Sequence, residues 1–263
     1  GLTGSTEFSD AGGTLRLASR AASLDLPRVF QAPIDVDRLD GSATWKRRDG
    51  VVDVRIETLE FANAHASGQA SGTYRSARDG PGSIDLAARV TDADATAVHR
   101  YVPRWISAET REWLRRGLRA GRASDATLRL AGNLAEFPFV DGKGGTFRVV
   151  ARASGAALDF AEGWPGLTAI DANVRFEGKG MFIDARSARY AGAEVGRTRA
   201  TIPDLDAEFP DLVIDGEAAG PVADFLRYVE TSPVAGWLGG VTDGAEGAGR
   251  GRLKLRLDLV LGA

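Results

Sequence analysis

Side chains suited to acid–base or metal chemistry are few here and poorly spaced for it. The chain has two histidines, His65 and His99, and no cysteine. A serine triad needs a histidine, a nucleophile and an orienting acid held together. Neither histidine lies near a GxSxG elbow, and the sequence contains none. HExxH spacing is missing too. His99 sits in VHRYV, and the similar FLRYV further on has Leu226 at the matching position. Leucine cannot carry a proton, so His99 reads as a packing or surface residue. Acidic residues recur in i, i+2 pairs: Asp35 with Asp37, Asp92 with Asp94, Asp204 with Asp206. Such a pair shares one face of a strand and suits calcium. No EF-hand loop or RTX nonapeptide accompanies them, so solvated loop and strand charge is the better reading. Among 36 acidic residues some pair always fits a glycosidase, so that idea discriminates nothing.

Other unusual strings also read as structure. DGKGGTF around Lys143 lacks the spacing and the Ser or Thr of a phosphate-binding loop, and reads as a hairpin or bulge entering a strand. Arg111, Arg115, Arg116 and Arg119 suit anionic head groups, but Glu109 and Glu112 dilute them and favour a solvated helix face. In EFPF and EGWP, Pro138 and Pro165 belong at strand ends or edges. Phe137, Phe139 and Trp164 should then pack under loops. No catalytic residue, metal site or cofactor is expected.

The elements that would position any site are mostly strands. In a chain of 263 residues, 43% are hydrophobic and 26% charged, an ordinary globular balance. A net charge of −3 gives no electrostatic footprint for nucleic acid. No apolar run reaches the ~20 residues that span a bilayer. The opening GLTGSTEFSD is neither a signal peptide nor an initiator Met, and the chain reads as a piece of a larger protein. Period-2 alternation recurs at Leu15 and Leu17, at Val52, Val54 and Ile56, at Ile84 and Leu86, at Leu128 and Leu130, and at Phe147 and Val149. Gly-rich breaks (RRDG, ARDGPG, DGKGG) separate these runs, which predicts about a dozen antiparallel strands with one wet face.

Near the C-terminus, Leu253, Leu255, Leu257 and Leu259 alternate with Arg252, Lys254, Arg256 and Asp258. Their leucine face either completes a protein core or lines something else.

Helical patterns are fewer. One is expected near 107–120, after Pro103 and Trp105, with Ser107 as N-cap and Gly117 or Gly121 as its end. Its stripe is Ile106, Thr110, Trp113, Leu114 and Leu118. DATAVHRYV just before it suggests a helical turn. A second helix is expected near 221–230, opened by Pro221.

The sequence also repeats in order: GTLRL returns as GTFRV, ASLDLP as AALDFA, VHRYVP as FLRYVE, EWL as GWL, and ATLRLAGNL as GRLKLRLDL. Two loose repeats, 1–134 and 135–263, follow from this, stacked end to end because neither buries its apolar face alone.

The order PIDVDRLDGSATW, LEFANAHASGQASGTY, DLAARVTDADATAVHRYVP, EWLRRGLRAG, LRLAGNLAEFPF, LDFAEGWPGL and DGEAAGPVADFLRYVETSP resembles the YhdP branch of the AsmA-like proteins, relatives of TamB. The likeness runs from about Gly13 to Leu261. It implies a mainly β fold with a few short helices: an elongated antiparallel sheet curved into a U-shaped groove, the β-taco. It implies an internal periplasmic segment of a Gram-negative envelope protein anchored in the inner membrane, whose contact with membranes lies outside this chain. It further implies that phospholipid moves between inner and outer membranes along the groove. The expected lining is then the fifteen alternating residues named above, from Leu15 to Leu259. Expected partners are phospholipid acyl chains and other segments of the full-length protein, with no nucleic acid. Two other readings are an envelope scaffold with a closed protein core, and a β-rich carbohydrate-binding or carbohydrate-active protein.

Overall fold

A computed structural model of the chain describes residues 3–104, 106–190 and 193–261. Trp105 lies outside them. Thirteen strands form a single sheet in chain order. They are β1 (Gly4–Ser9), β2 (Gly12–Leu24), β3 (Ile34–Arg48), β4 (Val51–Ala62), β5 (Ala66–Arg75), β6 (Ser83–Asp94), β7 (Leu118–Asn133), β8 (Gly145–Leu158), β9 (Leu167–Glu177), β10 (Gly180–Tyr190), β11 (Ala193–Ile202), β12 (Asp211–Pro221) and β13 (Arg250–Val260). Each pairs antiparallel with the next. β1 and β13 pair on one side only, so the sheet is open and not a barrel.

Two helical arms interrupt the meander. The first, residues 95–117, holds a 3-10 turn (Ala95–Arg100) and α1 (Ala108–Gly117) between β6 and β7. The second, residues 222–249, holds α2 (Val222–Glu230) and α3 (Val234–Trp237) between β12 and β13. Each therefore precedes the last strand of a run of six, β2–β7 and β8–β13. Both arms leave the same end of the sheet, the arm end. Connections β1–β2, β3–β4, β5–β6, β7–β8, β9–β10 and β11–β12 lie at the opposite, turn end.

Local chemistry explains the helix limits. Ser107 accepts from the Thr110 amide at 3.1 Å, an N-cap that satisfies an otherwise free donor. The helix ends earlier than the expected 107–120. Leu118 is extended (φ −81°, ψ 102°) and begins β7 opposite Leu158, so it does not extend the helical stripe. Gly117 allows this turn-off, because a Cβ there would lie 3.0 Å from the Asp159 carbonyl oxygen. Pro221 stands just ahead of α2, whose end is closed by the Thr231 amide bonding Arg227 O.

Strand bending has an equally local origin. Register shifts fall at Ser42/Ala43, Ile56/Leu59, Ser67/Gly68, Ser124/Thr127, Ala153/Ala156, Ala185/Ser187 and Val195/Thr198. They interrupt successive strands between their ends. A bulge bends and twists the strand that carries it, so a line of bulges curls the sheet. Gly155 occupies one, at φ 57°, where a side chain would be strained.

The molecule exposes 16097 Å². A compact protein of 27.8 kDa would expose about 11,000 Å². The excess follows from a single layer, with no second sheet on it among the described residues. Ten hydrophobic side chains are buried among the described residues, and six of them are alanines.

Candidate functional site

The interstrand register carries one face through the whole sheet. Starting at Leu17, direct partners run Gly41, Leu59, Ala70, Ala88, Leu128, Val149, Phe176, Met181 and Ile202. A parallel row runs Ala151, Val174, Ile183, Ala200, Ile214 and Leu257. Both rows are apolar throughout. All fifteen residues expected from sequence fall on this face. Leu15 and Leu17 oppose Ala43 and Gly41, and Ala43 in turn opposes Ile56. Val54 meets Trp45, and Val52 meets Arg47. Ile84 and Leu86 oppose Gly132 and Leu130, and Leu128 and Leu130 oppose Val149 and Phe147. Leu253, Leu255, Leu257 and Leu259 oppose Ala218, Gly216, Ile214 and Leu212.

Sequence alternation missed a comparable set, including Leu39, Leu59, Phe61, Val174, Phe176, Met181 and Ile183. Leu59 and Phe61 follow a bulge after Ile56, so the apolar face passes from even to odd positions there. The signal was present in VRIETLEF, where period 2 restarts one residue late.

This face is the more enclosed one. Buried strand residues on it include Ser19, Ala22, Val36, Leu39, Ala156, Ala172, Ala188 and Ile202. Ala88 is half-buried while its neighbour Ala87, on the other side, is exposed. Yet the large side chains remain partly open: Leu255, Leu257 and Leu259 are half-buried and Leu253 is 38% exposed. Ala22, Val36 and Leu39 form a small core, packed by Leu17, Leu24, Ile34, Leu59 and Phe61.

The opposite face is laced with cross-strand ion pairs. Examples are Arg20–Asp40 at 2.8 Å, Arg38–Glu60 at 2.7 Å, Arg199–Asp184 at 3.0 Å and Arg129 with Asp85. Bonds from Arg20 and Arg38 hold Asp40 below the usual carboxylate range, and Arg129 does the same for Asp85. Such exposed pairs are worth ~0–1 kcal/mol each; their collective role is to keep one side wet and in register. Two shallow clefts of ≈450 and ≈460 Å³ involve this side, around Lys46 and around Asp53 and Arg75.

Arms fold over the apolar face at one end. Phe225 and Val222 of α2 lie over Gly251, which shares its face with Leu253. Tyr228 packs edge-on against Tyr190 (4.8 Å between centroids) and tilted against Trp164 (6.2 Å), which also meets Trp237 (5.7 Å) and Phe160 (5.6 Å). Burial pushes both tyrosine hydroxyls up.

The first arm is tied differently. Asn63 Nδ2 donates to Tyr101 Oη at 2.9 Å and to Asp35 O at 3.0 Å, and His65 Nδ1 lies 3.1 Å from the same hydroxyl. The Arg104 amide donates to Val29 O at 2.8 Å, and its guanidinium to Pro27 O at 3.1 Å. At the far end Trp113 Nε1 donates to Phe160 O at 2.9 Å. Trp113 is 43% exposed, so the apolar stripe of α1 does not bury it fully. The β8–β9 loop, 159–166, therefore touches both arms.

The chemical candidates stay apart. His65 bonds Tyr101, while His99 Nδ1 lies 2.9 Å from Thr96 O in its own turn. Asp94 caps that turn, and bonds from Thr96 lower its pKa. Asp92 pairs with Arg122, and Asp204 and Asp206 face Lys179. No cluster able to hold a metal ion occurs among the described residues. Arg115 and Arg116 both bond Glu112, lowering it to about 2. Phe139 is buried (2% exposed) beneath its loop, edge-on to Phe137, which in turn meets Phe147. No helix of the described residues is long and apolar enough to cross a membrane.

A profile of the YhdP protein family matches residues 1–262. The chain belongs to the YhdP family. Among curated relatives, the intermembrane phospholipid transporter YhdP of Escherichia coli K12 is 28% identical over 265 residues. That alignment takes in 99% of this chain and 20% of the relative, so the chain spans about a fifth of its length. No solved structure matches. For a YhdP-family segment, the open, curled sheet with one apolar and one charged face is the architecture that the sequence resemblance implied.

Proposed function

We propose that this chain is a non-catalytic segment of a phospholipid transporter, with the apolar face of its sheet holding acyl chains in transit. The observation that carries this reading is the continuity of that face from β2 to β13, with no second sheet over it among the described residues and helices only at its arm end. Each CH2 removed from water contributes ~0.8 kcal/mol, so an acyl chain gains several kcal/mol from non-directional contact. Such contact needs no fixed polar partner and lets a lipid slide from row to row. The charged face keeps the other side in water, as a segment crossing the periplasm between inner and outer membranes requires. The relative's transporter name supports the same reading, in which two loose repeats, 1–134 and 135–263, would each contribute a length of the groove. Anchoring in the inner membrane and contact with both membranes would fall to other parts of the protein.

Leu255→Asp in the full-length protein tests the proposal. Leu255 opposes Gly216 and is half-open, so water can reach the new carboxylate. An unpaired charge in an apolar path costs several kcal/mol or forces protonation. The expected result is a melting curve close to the parent's together with lost lipid crosslinking from photoreactive residues at 253, 257 and 259. A folded parent protein that crosslinks no lipid from any of these positions would overturn the reading.

A further inference from the structure

The turn-end margin of the apolar face in the first half differs from the rest of that face. Its outermost complete row runs Phe8, Gly13, Trp45, Val54, Tyr74, Ile84, Gly132 and Gly145 by direct pairing. The Trp45 ring lies over Gly13, where a Cβ would come within 2.5 Å of it. Phe139 covers Gly132 and Gly145 in the same way. Phe8 is 77% exposed, and Tyr74 turns its hydroxyl to Pro81 O at 2.9 Å. The row is thus aromatic at Phe8, Trp45 and Tyr74, with the Phe139 ring at its far end. Trp and Tyr favour positions where an apolar body meets a wet, polar edge.

Two residues further out on the same face stands Arg47. Alternation places strand lysines and arginines on the charged face, with Arg119 and Arg197 falling in bulged register. Arg47 is the exception: it follows Trp45 by two and opposes Val52, both on the apolar face. It is exposed and forms no ion pair with a described residue, although Asp49 and Asp79 stand in the neighbouring turns. A guanidinium two residues beyond a tryptophan, at the margin of an apolar trough, matches the phosphate of a lipid whose chains lie inside. It presents a fork of donors to phosphate oxygens. In the second half Lys179, in the β9–β10 turn, is engaged by Asp204 at 3.4 Å and Asp206 at 3.7 Å.

We infer that Arg47, with Trp45 beside it, binds the phosphate diester of a phospholipid at the groove margin, making this half a head-group station. The inference rests on the acyl-chain reading above. Its test uses the intact protein and two probes with identical photoreactive dioleoyl chains, a phosphatidylglycerol and the phosphate-free diacylglycerol. The parent should label more strongly with the phosphatidylglycerol. R47E should cut that labelling roughly tenfold, the scale of one charge-assisted hydrogen bond, and R47Q should cut it less. R48E, on the charged face, should leave it within about twofold, since exposed charges away from a contact change little. Diacylglycerol labelling should be the same in all four proteins, which also shows that the variants keep their fold. Equal labelling of the parent by both probes, equal effects of R47E and R48E, or full competition by soluble glycerol phosphate would overturn the station and leave the groove standing. No labelling of the parent by either probe would overturn both.

Discussion

The two arms occupy equivalent places in their halves of the sheet and are fastened by different physics. The first arm is held by directional bonds, with Tyr101 tied to Asn63 and His65, and Arg104 tied to Val29 and Pro27. The second is held by rings, with Tyr228 set between Tyr190 and Trp164, and Trp237 against Trp164. Hydrogen bonds fix distance and angle, so the docking of the first arm is directional. Aromatic contact is worth ~0.5–1.5 kcal/mol per pair beyond area burial and tolerates small slides. A single topology can therefore carry a keyed strap at one site and an adjustable one at the other, joined through the loop at Phe160–Trp164.

The largest expected effect comes from emptying the ring cluster. Tyr228→Ala should destabilise docking of the second arm by about 3 kcal/mol, the low end for loss of a large ring because Tyr228 is half-buried. Hydrogen exchange should quicken across 222–237 and stay unchanged across 95–104. Equal loosening of both arms would mean that they dock as one unit through the β8–β9 loop, and would erase the contrast.

Asn63→Ala sharpens the other side. Asn63 donates to Asp35 O and Tyr101 Oη and accepts from the His65 and Ala66 amides. At ~0.5–1.5 kcal/mol net for each bond, offset by water at this partly open site, the loss should be about 2 kcal/mol. It should appear as faster exchange near 97–104 with the second arm still protected.

Acid and alkali should separate the arms with smaller effects. Asp94, which caps the first arm's turn, has its pKa lowered from 3.8 by bonds from the Thr96 hydroxyl and amide. A lowered folded pKa means stabilisation present above pH 3.8 and lost as pH falls through the folded value. Tyr190 and Tyr228 are raised from 10.0 by burial, so their contribution is complete below pH 10 and fades as pH rises beyond it. Exchange measured along a pH series should show the first arm loosening in acid and the second in alkali. Asp94→Asn should remove the acid response.

The smallest effect belongs to the charged face. Arg38→Ala deletes pairs to Asp40 and Glu60, both exposed enough for water to screen them. Its cost should stay below ~1 kcal/mol and leave the exchange of both arms alone.

Much of this was readable from the chain alone, because strand alternation is a local property. Period 2 fixes which neighbours share a side, so Leu253 to Leu259 and Val52 to Ile56 could be grouped without knowing what they touch. The same holds for the helix start at Ser107 and the opening of α2 after Pro221, since caps and φ restriction act within a turn.

What alternation cannot supply is the relation between strands. A one-residue bulge after Ile56 moved the apolar face onto Leu59 and Phe61; the late restart of period 2 in VRIETLEF hints at it, and pairing with Gly41 and Gly68 fixes it. Trp113 has a helical stripe pattern that promises burial, yet it stays 43% exposed, with Nε1 bonded to Phe160 O. The fasteners of the arms join residues far apart in sequence: Tyr101 to His65, Arg104 to Pro27, Tyr228 to Trp164. No local rule links those positions. The chain determined which residues prefer to leave water; the tertiary structure decided which neighbour each found there, because burial is non-directional and register, bulges and hydrogen bonds are not.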